Sequence, residues 1–105
     1  MPLPTGITAL RLQHMAGLLF EIWQGEDQSE LSQVSQRGDA LRPVLMPSAV
    51  MVHNFYAESD FQAFQIANEW LGHGEWVPPT EIEEHFFSEN EAEEQRLYLS
   101  KRSIG

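Results

Sequence analysis

The sequence predicts an α+β domain: a small two- to three-stranded sheet packed by two amphipathic helices, with a polar helix at the C-terminus. Three observations carry that expectation. Apolar residues recur at helical spacing over residues 10–24 and again over 60–71. Between them, residues 50–56 are rich in β-branched and aromatic side chains. Finally, Ser or Thr stands three residues before Glu or Gln at Ser59/Gln62, Thr80/Glu83 and Ser88/Glu91, the spacing of a capping box at a helix start.

The bulk properties fit one domain over residues 1–105. Hydrophobic content of 42% and charged content of 21% give a chain of this length an interior large enough to fold unaided, despite a net charge of -10. With no cysteine there is no disulfide, no thiolate nucleophile and no sulfur-ligated zinc, which suits the reducing cytoplasm taken as the expected location. The longest apolar run, from Met15 to Phe20, is too short to span a bilayer, and Met1-Pro2-Leu3-Pro4 lacks the basic start of a signal peptide, so no membrane association is expected.

Element by element, residues 1–6 read as a Pro- and Gly-containing lead-in. The first helix follows over 10–24, with Leu12, Met15, Ala16, Leu18, Leu19, Phe20, Ile22 and Trp23 on one broad arc, Gln13, His14, Glu21 and Gln24 opposite, and Gly25 as its stop. Asp27 with Glu30 suggests a short polar helix over 28–36, and Arg37-Gly38-Asp39 a turn. Pro43 and Pro47 argue against helix from Leu41 onward, so 44–46 and 49–56 read as extended structure. Residues 50–56, apolar on both sides, are expected to form the central strand. Ser59 then caps the second amphipathic helix, 60–71, with Ala63, Phe64, Ile66, Ala67, Trp70 and Leu71 on its apolar arc and Gly72 ending it. Residues 75–77 form a short strand candidate, and Pro78-Pro79 an extended exit.

Charge is uneven along the chain. Residues 1–57 carry five acids and three bases, whereas 58–105 carry eleven acids and three bases. The centre of this asymmetry is the stretch 81–95, seven glutamates around Phe86-Phe87. The capping boxes split it into a short helix over 81–87 and a second over 89–102, which explains Glu81, Glu83, Glu89 and Glu91 as first-turn acids favoured by the helix dipole. Glu84, Glu93 and Glu94 stay unexplained. In the last helix Leu97, Tyr98 and Leu99 point in different directions, so 88–105 reads as loosely packed or as an interface for homo-oligomers.

Signatures of chemistry are absent from the sequence. There is no phosphate-cradling glycine loop, no nucleophile elbow, no zincin or EF-hand spacing, and Glu81 with His85 alone does not make a metal site. Neither cofactor nor metal is expected. Scattered bases and surplus carboxylates argue against direct nucleic-acid binding. The expected function is therefore that of a non-enzymatic protein-binding module, its partner of basic character, contacted through Glu84, Phe86, Phe87, Glu93, Glu94 and Tyr98. Two other readings stand beside it. One is a nucleic-acid mimic that blocks a DNA-binding protein. The other is a small-molecule or enzymatic pocket around His53 or His73 with Tyr56, Trp70 and Trp76.

Overall fold

The computed structural model describes residues 16–102. The lead-in over 1–6, the first part of the helix expected over 10–24, and residues 103–105 lie outside the described residues. The strands are β1 (Leu18–Gln24), β2 (Ser29–Gln33) and β3 (Val50–Ala57). They form one antiparallel sheet in the order β2-β1-β3. The helices are α1 (Gln36–Leu45), α2 (Asp60–Leu71) and α3 (Glu89–Leu99), so the α+β class holds.

The first correction concerns residues 18–24, expected within a helix and found as the central strand. Leu18, Phe20 and Ile22 are buried on one face and Glu21 on the other. A strand covered on both sides reads as a continuous apolar run, and such a run imitates a helix by periodicity. The polar side of that imagined helix was misleading too, because Glu21 is an interior residue with an ionic partner.

The polar helix expected over 28–36 is likewise a strand. Gly25 N–H donates to Gln28 O at 2.9 Å, closing a turn that returns β2 along β1 from Gln24↔Ser29 to Phe20↔Gln33. The third correction is α1, which occupies residues read as a turn at Arg37-Gly38-Asp39 and as extended structure beyond Leu41. Ser35 caps it, its Oγ accepting from Gly38 N–H at 3.0 Å, and a Cβ at Gly38 would sit only 3.1 Å from that oxygen. Pro43 falls in the last turn of this short helix and removes one backbone donor there.

β3 forms where expected, but at the edge of the sheet rather than its centre. Its apolar character on the α2 side comes from packing under that helix. Phe20 and Phe55 stack at 5.8 Å, Phe20 meets Phe87 at 5.9 Å, and Leu18, Ala57, Ala63 and Ala92 complete the cluster. Each large apolar side chain buried here contributes about 1.5–3 kcal/mol. An extra residue, Val52, lies between the pairs Ile22↔His53 and Trp23↔Met51 and bends the strand.

α2 has the expected bounds. Ser59 is fully buried, its Oγ accepting from Gln62 N–H at 3.0 Å, and Gly72 ends the helix in the left-handed region at φ 80°. Ala63 and Ala67 face the sheet, whereas Phe64, placed on the core arc by the sequence, lies on the outer flank. α3 starts with the expected capping box of Ser88 and Glu91 and ends at Leu99 rather than 102. Neither the strand over 75–77 nor the helix over 81–87 forms; residues 73–85 contain no regular element.

Candidate binding surface

The surface is built on a rigid base, and α3 supplies much of that rigidity through polar contacts. Gln95 is 7% exposed, and its carboxamide is spliced into the sheet where β1 and β2 part. Leu19 N–H donates to Gln95 Oε1 at 2.8 Å, while Gln95 Nε2 donates to Val34 O at 3.0 Å and to Leu19 O at 3.1 Å. Buried backbone groups need partners, so this side chain substitutes for a missing rung of the ladder.

Below it runs an ionic network. Arg102 donates to both oxygens of Glu21, at 2.8 and 2.7 Å, and to both oxygens of Asp39, at 2.7 and 2.9 Å. Asp39 also accepts from Arg42 at 3.1 Å and from the Tyr98 hydroxyl at 2.5 Å. Arg42 lies 4.0 Å over the Trp23 ring and reaches Ser32 Oγ at 3.1 Å. Burial alone would raise the Glu21 and Asp39 carboxyls. The Arg102 guanidinium and the other donors outweigh it and hold both below the usual carboxylate range. The same pairing raises Arg102 further above its ordinary value. A helix too poor in apolar residues to bury by hydrophobicity is thus fastened by hydrogen bonds and ion pairs.

Over this base the segment after α2 doubles back along the helix as a strap. Trp76 pins its start: the indole meets Phe61 edge-on at 5.1 Å and Phe64 at 5.0 Å, and Trp76 N–H donates to Gln65 Oε1 at 3.0 Å. The far end is pinned at the start of α2, where Ser59 and Phe86 form an antiparallel bridge and Phe87 N–H donates to Glu58 O at 3.0 Å. His85 N–H donates to Asp60 Oδ1 at 3.2 Å, and the Ser59 hydroxyl donates to Glu84. The His85 ring lies 3.0 Å from both Glu91 oxygens, tying the strap to α3; with Ser88 N–H it outweighs the effect of burial and lowers the Glu91 carboxyl.

Between these pins the strap projects its side chains outward. Val77 is 77% exposed and Ile82 59%, among exposed carboxylates at Glu75, Glu81, Glu83 and Glu84. Of the aromatic pair, Phe86 is 46% exposed and Phe87 only 3%. Phe87 is therefore a core residue and unavailable to a partner. Glu93 is exposed and paired with Arg96, whose guanidinium it holds above its ordinary value. Tyr98 is turned inward to Asp39, which raises its hydroxyl above the usual tyrosine value. Glu94 lines a groove of about 350 Å³ between α3 and the start of α1, with Gln36 and Tyr98. Glu84 and Phe86 are thus the sequence candidates on the strap. Val77 and Ile82, which the sequence reading passed over, join them. Their signal was an aliphatic residue near glutamates on either side of Pro78-Pro79, where the sequence predicts a short strand over 75–77 and a helix over 81–87.

Of the residues proposed for a small-molecule pocket, only His53 and Trp70 meet. His53 stacks on Trp70 at 4.8 Å on the α2 side of the sheet, and Tyr56 projects from the other face, 62% exposed. Trp76 is occupied by Phe61 and Phe64, and His73 lines a separate groove with Leu71 and the β1–β2 turn. No group of three or more metal-ligating side chains occurs among the described residues, and none of their helices is long and apolar enough to cross a membrane. Comparisons with models of known protein families, with curated proteins and with solved structures gave no match.

Proposed function

We propose that the protein is a binding module whose 73–86 strap docks into a recess on a partner protein, apolar at the centre and basic at the rim. The observation that supports this reading is the exposure of Ile82 and Val77 among the carboxylates of Glu75, Glu81, Glu83 and Glu84, on a segment pinned at both ends. Long connections without secondary structure are uncommon in compact domains and are usually either functional or linker segments. Because the pins hold the backbone, less conformational entropy is lost on docking than with a free tail. The carboxylates steer a cationic partner and the aliphatic side chains hold it, a division of labour common at interfaces. A chain without cysteine suits a cytoplasmic setting for such a contact.

The test is affinity capture from a lysate of the source cells at low and moderate salt. The bait is the wild-type chain, Ile82→Ser, or the triple variant Glu81→Gln, Glu83→Gln, Glu84→Gln. A protein recovered by wild type, weakened by salt and lost with both variants is expected. Identical recovery by all three baits removes the proposal. Recovery of a DNA-binding protein displaced by duplex DNA would favour nucleic-acid mimicry instead.

A further inference from the structure

Among the described residues, β3 leaves one rim of the sheet open. Its inner rim is committed: Val34 N–H donates to Leu19 O, so Leu19 turns its peptide groups toward β2, and the neighbouring Leu18, Phe20 and Ile22 turn theirs toward Ala57, Phe55 and His53. By the alternation of the strand, the N–H and C=O groups of Asn54 and Tyr56 face outward. No strand among the described residues pairs with them.

Exposed edges usually carry a charge or a proline that blocks pairing with another chain. β3 carries neither, its one guard being the bulge at Val52, and residues 43–57 are fifteen consecutive positions without Asp, Glu, Lys or Arg, the longest such run in the sequence. Within that run Val44, Val50, Met51 and Tyr56 are exposed. Trp70, also exposed, flanks the edge from the α2 side through its stack on His53. Two copies that each carry a net charge of -10 repel one another over acidic surface, and this uncharged run is where they approach at least cost.

We propose that β3 pairs antiparallel with β3 of a second copy, joining two three-stranded sheets into one about a two-fold axis at Asn54. In that register Asn54 bonds to Asn54 of the second copy and Tyr56 lies opposite Val52, an aromatic and β-branched cross-strand pair. The kink at Val52 limits regular pairing to residues 52–56 of each copy. The inference is independent of the strap.

Light scattering of the full chain over a range of concentrations tests it, together with amide hydrogen exchange. The expected result is twice the chain mass at high concentration, more dimer as salt is added, and exchange at Asn54 and Tyr56 that slows with concentration while Phe55 does not change. Asn54→Pro removes the outward donor and Tyr56→Glu adds like charge across the axis; each should halve the apparent mass while far-ultraviolet circular dichroism stays that of wild type. A wild-type chain that stays monomeric at every concentration overturns the proposal. So does a dimer that persists in a folded Tyr56→Glu variant, or a wild-type dimer in which Asn54 and Tyr56 exchange freely.

Discussion

Arg102 and Glu21, eighty-one positions apart, form a two-pronged ion pair with N–O distances of 2.7 and 2.8 Å. The guanidinium side chain is 9% exposed and the carboxylate 2%, so the pair closes the interior of the β1–α1 face with the chain's last described residue. Breaking a buried pair by removing one partner leaves an uncompensated charge. Arg102→Ala should therefore destabilise the protein by about 3–5 kcal/mol, read as a drop in urea midpoint. In the double variant Arg102→Ala, Glu21→Leu, the second substitution should restore part of that loss. A fully additive double variant would show that the two groups do not act as a pair.

The same network sets the acid response. Glu21 and Asp39 have lowered carboxyl values in the folded state, so they bind fewer protons there than in the unfolded chain. Their contribution is complete above the unfolded carboxylate values of about 4 and is lost as pH falls below them, through the folded values. Arg102 stays charged throughout this range. Urea midpoints measured downward from neutral pH should fall through the acid range for wild type and fall less for a Glu21→Leu, Asp39→Asn variant.

Gln95 offers a separate test, because its role is geometric. Gln95→Leu keeps the volume but leaves Leu19 N–H and Val34 O without partners, at about 1–3 kcal/mol for each buried group. Gln95→Glu should be no better, since its oxygens would face the carbonyls of Leu19 and Val34. A Gln95→Leu variant as stable as wild type would mean that water or backbone movement supplies the missing bonds.

The strap should respond in the opposite manner. Ile82→Ser and Val77→Ser change exposed side chains and should leave stability within about 0.5 kcal/mol. Trp76→Ala removes an aromatic anchor from Phe61 and Phe64 and should speed proteolytic cutting within 77–83 while the helices stay protected. Equal cutting rates would show that the Trp76 pin is dispensable.

Legibility from sequence followed the range of the interactions. α2 and the start of α3 were readable because Ser59 and Ser88 cap by local bonds, and Gly72 ends its helix by local backbone geometry. β1 was not, because the apolar pattern over 18–24 arose from burial on both faces of a strand, and only pairing with Ser29–Gln33 and Val50–Ala57 reveals it. α1 was hidden by Pro43, whose usual meaning is overridden in the last turn of a helix, and by Arg37-Gly38-Asp39, which reads as a turn. At the site, acidity was legible and placement was not: nothing local distinguishes Phe86 from Phe87, although one is exposed and the other meets Phe20. Gln95 and Arg102 escaped notice because their partners lie more than sixty positions away.

The strap's role is tested most directly by amide hydrogen exchange of the chain alone and saturated with the protein it captures. Protection gained across 77–83, with α1 and the groove between α3 and the start of α1 unchanged, is the result expected of a docking strap. Unaltered exchange in 77–83, with new protection confined to α1 or α3, would place the contact elsewhere and contradict it.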